Sequence, residues 1–304
     1  MAMSEYHEPV LLEASVEGLA LRPDGRYVDV TFGGGGHSRR ILAGLGEAGR
    51  LVAFDRDPDA RANLPEDGRL VFVPEDFKFF EAALTRLQLL PVDGILADLG
   101  ISSHQIDTPE RGFSYRFEAP LDMRMNPTQG RTAADLVNEE DEAELVRIFR
   151  DWGEVPNARK LARRLAEVRG GQPISTTGQF EQVIEGCIPP KRRAKYLAQV
   201  YQALRIEVNG EMEALAALLT GALRVLKPGG RLAVISYHSL EDRMVKRFMR
   251  SGEFRGVVEK DFYGNPLTPW TLITRRALQA GAAEVAANPR ARSARLRIAE
   301  KKGP

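Results

Sequence analysis

Short apolar runs recur through the first third of the chain, each followed by a stretch whose apolar residues repeat with helical spacing. Arg26–Thr31 reads as a first strand, Leu51–Phe54 as a second, Leu70–Val73 as a third and Gly94–Leu99 as a fourth. Arg231–Ser236 reads as a fifth, and Thr271–Thr274 and Leu296–Ala299 are candidates for the last two. Turn chemistry brackets them, as in Pro23-Asp24-Gly25 and Lys227-Pro228-Gly229-Gly230. Strands alternating with helices predict an α/β fold with a parallel sheet and crossover helices.

The spacing changes after the fourth strand. A crossover needs only a dozen or more residues, yet about 130 separate the fourth strand from the fifth. Asp141–Trp152, Asn157–Arg169 and Thr177–Ile188 each place apolar residues at i, i+3 and i+4. Leu161, Leu165 and Val168 form one such stripe, with Arg159, Lys160, Arg163 and Arg164 on other faces. The pattern predicts a helical insertion over 105–204 that divides a sheet domain into 1–104 and 205–304. The insertion carries a basic cluster at Lys191, Arg192, Arg193 and Lys195.

Composition adds exclusions. The 304 residues are 43% hydrophobic and 28% charged, ordinary for a globular protein. No window approaches a membrane span, and the first nine residues lack the pattern of a signal peptide. A cytoplasmic location is expected. One cysteine, Cys187, allows no internal disulfide, and the four histidines are scattered without zinc spacing, so no metal is expected. Net charge is +1. The C-terminal stretch is locally basic, with Arg290, Arg292, Arg295, Arg297, Lys301 and Lys302 against Glu300 alone.

The candidate chemistry begins where the first strand ends, in Phe32-Gly33-Gly34-Gly35-Gly36-His37-Ser38 before a helix starting near Arg39. Glycines at such a turn let the backbone approach a ligand. A phosphate loop would need Gly-Lys-Ser/Thr, and the first lysine of the chain is Lys78. A dinucleotide fingerprint would need a third glycine where Ser38 stands. Asp29 followed by Gly33 and Gly35 instead resembles the acid-and-glycine loop of class I methyltransferases, with Thr31 where many of them have glycine. Asp55, ending the second strand, can accept from both ribose hydroxyls of an adenine nucleoside. Nicotinamide enzymes use the same device, so a dehydrogenase stays open on these residues alone. Phe77, after the third strand, is placed to pack on adenine.

Further segments are more specific. They are Asp98-Leu99-Gly100-Ile101-Ser102-Ser103-His104-Gln105, Arg111-Gly112-Phe113-Ser114-Tyr115, Pro120-Leu121-Asp122-Met123-Arg124-Met125, and Ser236-Tyr237-His238-Ser239-Leu240-Glu241-Asp242-Arg243. With His7-Glu8-Pro9-Val10-Leu11-Leu12 at the start and Asn288-Pro289-Arg290-Ala291-Arg292-Ser293 near the end, they resemble, in order and spacing, the signature segments of the RsmH (MraW) family. Glu118-Ala119, Asn126 and Gln199 depart from its usual residues. The resemblance implies a class I methyltransferase fold, Rossmann-like, with a mostly parallel seven-stranded sheet and an all-helical inserted domain. It implies S-adenosylmethionine as cofactor, held by Gly35, Gly36, His37, Asp55, Phe77, Asp98 and Gln105. It further implies N4-methylation of a cytidine in the decoding region of 16S ribosomal RNA, within the small ribosomal subunit, by a monomer or homodimer.

A cytosine amine is a weak nucleophile because its lone pair is conjugated with the ring. Acceptors for its N–H groups would localise that pair, and one could take the proton. Asp98 heads the candidates, followed by Ser102, with His238 placed to face the target base. Cytosine C5 chemistry needs a cysteine nucleophile, and Cys187 lies in the expected insertion. Arg111, Arg124, Arg243 and the basic C-terminal stretch are expected to meet RNA phosphates. Transfer to another nucleic-acid amine, or a non-catalytic ribosome assembly factor, are the alternatives.

Overall fold

The computed structural model describes residues 9–303; His7 and Glu8 lie outside them. The described chain divides into two compact units, one formed by residues up to Gly100 and from Glu213 onward, the other by Ile101–Met212.

The first unit is built on one seven-stranded sheet in the order β3-β2-β1-β4-β5-β7-β6. Its strands are β1 Arg26–Asp29, β2 Arg50–Phe54, β3 Leu70–Val73, β4 Val92–Asp98, β5 Leu226–Ser236, β6 Trp270–Leu272 and β7 Arg295–Lys301. The first five are mutually parallel, whereas β7 runs antiparallel between β5 and β6. Every residue of β4 but its last is buried, as befits a central parallel strand covered on both faces.

Helices α1 (Leu12–Gly18) and α2 (Gly36–Ala43) contact one another. They bury Val16, Ile41 and Leu42 in one core with Leu51, Leu96, Ile235 and Leu296. Helix α3 (Phe80–Arg86) buries Phe80, Ala83 and Leu84. Helix α2 starts at Gly36, three residues before the expected Arg39, because Gly35 at φ 75° serves as its left-handed cap.

The second unit is all helical in its regular structure: α4 Ser103–Asp107, α5 Ala133–Glu139, α6 Glu142–Asp151, α7 Ala158–Arg169, α8 Thr177–Ile184 and α9 Arg193–Asn209. Its core gathers Leu145, Phe149, Leu161, Leu165, Phe180, Ile184 and Leu204. The unit is wider than 105–204. Its first helix is capped from Ser102, and α9 runs on to a left-handed stop at Gly210. Helix α10 (Glu211–Val225) then carries the chain back to β5.

The basic C-terminal stretch is not a free tail. Residues Arg295–Lys301 form β7. Arg295 and Arg297 both pair with Asp242, at 3.1 and 2.8 Å. The Lys301 ammonium donates to the Leu226 carbonyl. The alternation of arginines with Leu296 and Ile298 is that of a strand inside a sheet. Two other arginines expected at RNA are likewise committed within the second unit. Arg111 is buried and donates to the carbonyls of Arg124 and Met125, and Arg124 pairs with Asp122 at 2.7 Å. No helix among the described residues is long and apolar enough to cross a membrane.

Candidate active site

In the first unit the chain winds from β1 outward to β3, then returns to place β4 on the other side of β1. Such a reversal opens a crevice at the carboxyl ends of the strands, where ligands of open α/β sheets bind. The glycine turn, Asp55 and Asp98 close β1, β2 and β4 at that end.

The turn after β1 is shaped by its neighbours. Gly33 and Gly35 have φ of 50° and 75°, a region that strains residues bearing a Cβ. A Cβ on Gly36 would stand 2.0 Å from Pro9 Cγ, so only glycine fits beneath that proline. A Cβ on Gly33 would meet nothing within 4 Å. The turn is therefore packed on one side and open on the other, which leaves room for a ligand. No side chain among the described residues caps the first turn of α2, and free helix N–H groups favour acceptor atoms.

Asp29 anchors the turn from below. It is fully buried; its Oδ2 accepts from the Ser38 hydroxyl at 2.6 Å, and its Oδ1 accepts from the Thr31 N–H at 3.1 Å. Thr31 Oγ1 in turn accepts from the Asp98 N–H at 2.7 Å, tying β1 to β4. Ser38, which breaks a dinucleotide fingerprint, and Thr31, which stands where many class I methyltransferases have glycine, are thus the residues that hold the acid and the strand ends together. Burial raises the Asp29 carboxyl above its ordinary value, against the pull of His37 and of its hydrogen bonds.

Asp55 is half-buried and accepts from the Gly33 N–H at 2.7 Å and the Asp57 N–H at 2.8 Å. Burial pushes its carboxyl up to about 6, against those two N–H groups. Each oxygen retains acceptor capacity, which suits it to a ligand hydroxyl. Phe77, at the end of β3, is half-buried and follows Asp76, which is paired with Arg56 at 2.8 Å.

Asp98 collects the polar groups at the end of β4. Its Oδ1 accepts from the Tyr237 hydroxyl at 2.7 Å, and its Oδ2 lies 3.8 Å from His37 Nδ1. His37 is buried in the first turn of α2, its Nε2 donating to the Val10 carbonyl at 3.2 Å. Burial pushes the Asp98 carboxyl up to about 6, opposed by His37 and by the Tyr237 hydrogen bond. Burial and the Asp98 charge hold the Tyr237 phenol well above its ordinary value, so the phenol stays protonated and donates. Tyr237 was not singled out from the sequence. The available signal was its place one residue beyond β5, the strand that pairs with β4 in the register Asp98↔Ile235.

His238 stands two residues beyond the end of β5. His238 caps helix α11 (Ser239–Ser251), accepting from the Glu241 N–H, with its Nε2 3.1 Å from Glu241 Oε1. Ser102 and Gln105 belong to the second unit. There the Ser102 hydroxyl accepts from the Gln105 N–H, and the Gln105 side chain accepts from the Ser102 N–H. This reciprocal capping box stabilises the start of α4. The Ser-x-x-Gln spacing announces it in the sequence. Cys187 is buried in the second unit.

An antiparallel seventh strand slotted between the fifth and sixth separates this sheet from the dinucleotide-binding order 3-2-1-4-5-6, and gives the chain the class I methyltransferase fold. The dehydrogenase alternative falls with the family to which the chain belongs. The family is equally definite: residues 4–302 match the MraW methylase family, and the chain belongs to it. It is 54% identical over 297 residues to the ribosomal RNA small subunit methyltransferase H of Bacteroides thetaiotaomicron, covering 98% of each chain. It is also 54% identical to the protein of that name from Flavobacterium johnsoniae, again over 98% of both.

Proposed function

We propose that this methyltransferase acts on 16S ribosomal RNA, moving a methyl group to the exocyclic N4 of a cytidine in the decoding region. The ribosomal target is supported by relatives whose name is ribosomal RNA small subunit methyltransferase H, 54% identical over 98% of this chain. The amine as acceptor is supported by one observation above others. Asp98 is a carboxylate with a raised pKa of about 6, held in place by Tyr237 at the end of β4.

When bound, S-adenosylmethionine supplies an electrophilic methyl carbon. In this reading Gly35, Gly36 and His37 set the wall of its pocket, Asp55 takes the ribose hydroxyls and Phe77 packs by the adenine. Asp98 accepts an N–H of the incoming amine, which localises the nitrogen lone pair, and later takes the proton. The Tyr237 donor keeps one Asp98 oxygen occupied, so the other is the one offered to substrate. Cys187 is unsuited to a covalent route: it lies in the helical unit, and burial raises its thiol, which keeps it protonated. The helical unit, with Lys191, Arg192 and Lys195 exposed, is assigned to RNA recognition. The substrate is the small subunit in the cytoplasm.

The test is mass mapping of ribosomal RNA from a strain lacking this protein. Loss of one N4-methyl group from a decoding-region cytidine is expected. An unchanged modification pattern would refute the proposal.

A further inference from the structure

Two surface features around α11 and β6 have no part in the chemistry described above. A cavity of about 190 Å³ lies between the second half of α11 and the edge of the sheet. Lys246 and Arg250 from α11, Thr274 and Arg275 just beyond β6, and Arg297 of β7 line it, and no acidic residue does. Arg297 is neutralised by Asp242. Lys246, Arg250 and Arg275 are exposed and form no ion pair among the described residues. Three unpaired cations around one concavity in a chain of net charge +1 mark a place for an anion.

The connection from α11 to β6, residues 252–269, presents two aromatic rings to solvent. Phe262 and Tyr263 are 97% and 85% exposed, packed edge to face with centroids 5.6 Å apart. They stand on a built tip. Asp261 Oδ1 accepts from the N–H groups of Tyr263 and Asn265, and the Leu267 N–H donates back to the Glu259 carbonyl. The base of the connection is fixed to α11 by Phe254 and Trp270, both in ring contact with Phe248. Leaving two large rings bare to water is costly unless a partner covers them.

Resting on the ribosomal RNA reading above, we propose that the second half of α11, the α11–β6 connection and the residues just after β6 form a binding surface for an unpaired RNA segment. Lys246, Arg250 and Arg275 hold its phosphates, and Phe262 and Tyr263 stack on its bases. Unpaired cations together with exposed aromatics are what single-stranded nucleic acid requires, since every base offers a face to stack and every nucleotide a charge to pair. A protein partner or an acidic membrane would use only part of this combination.

Two variants test it in the full chain, K246A/R250A/R275A and F262A/Y263A. Substrate is small ribosomal subunits from a strain lacking the protein. Each variant is expected to raise KM for subunits by about tenfold, with kcat and S-adenosylmethionine affinity unchanged. The triple variant should also flatten the slope of log KM against log salt by about 2, at roughly 0.7 for each single-strand phosphate deprived of its cation. If the wild-type chain is active and both variants match its KM and salt slope, the surface assignment is wrong and the functional reading survives. If the wild-type chain transfers no methyl to ribosomal RNA, the functional reading fails and takes this assignment with it. Weakened binding to phosphatidylglycerol vesicles at unchanged subunit KM would overturn the assignment in favour of a membrane.

Discussion

Replacing Tyr237 by Phe should move the acid limb of the methyl-transfer rate upward by about one pH unit. The Tyr237 hydroxyl donates to Asp98 Oδ1 at 2.7 Å, and a donor to a carboxylate favours its ionised form. Burial already pushes the Asp98 carboxyl up to about 6, and losing the donor raises it further. A hydrogen bond to a charged group contributes about 1.5–3 kcal/mol. The Asp98 side chain is 23% exposed, so water restores part of that, and the lower end applies. At about 1.4 kcal/mol per pH unit, the midpoint moves from about 6 to about 7. The rate at pH 6 then falls from about half to about a tenth of its maximum, while the rate near pH 8.5 stays close to wild type. The assay is single-turnover transfer to small subunits at saturating S-adenosylmethionine. Saturation matters because Asp55 also titrates near 6, and its protonation would register in cofactor affinity instead. A midpoint that stays in place or moves down would show that Asp98 does not set the acid limb.

Three further substitutions probe the rest of the site. Asp55→Ala removes the charged acceptor at the end of β2 and should weaken S-adenosylmethionine binding about a hundredfold by calorimetry, with the circular dichroism spectrum unchanged; undiminished affinity would remove Asp55 from the pocket. Ser38→Ala takes a 2.6 Å donor from the fully buried Asp29 and should cost about 1–3 kcal/mol in urea unfolding, with loss of cofactor affinity as the turn loosens. An unfolding midpoint equal to wild type would mean that the hydroxyl does not hold the acid. Cys187→Ala should leave kcat within about twofold of wild type; complete inactivation of a folded variant would reopen covalent catalysis.

What the sequence disclosed follows from how local each signal is. The first four strands and β5 were legible because parallel strands buried on both faces are short apolar runs between turns. The glycine turn was legible because positive φ and the approach of Pro9 leave no alternative to glycine. What Ser38 and Thr31 contribute was not legible, since it lies in bonds to Asp29 and Asp98 that only the folded turn and the paired strands create. Tyr237 was missed for the same reason: its partner is 139 positions away in sequence. Charge alone suggested RNA contacts for Arg111 and Arg124 and could not disclose their partners inside the fold, the carbonyls of Arg124 and Met125 for the one and Asp122 for the other. Ser102 and Gln105 also carried a legible capping signature, because the Ser-x-x-Gln spacing is local to one helix start.

The central claim is transfer of a methyl group to cytidine N4 in small-subunit RNA. Purified protein, isotopically labelled S-adenosylmethionine and small subunits from a strain lacking the protein test it in one reaction, followed by digestion and mass spectrometry of the nucleosides. The account predicts label in N4-methylcytidine alone, mapping to one decoding-region position. Label at cytosine C5, on ribose or on a purine, or none at all, would contradict it.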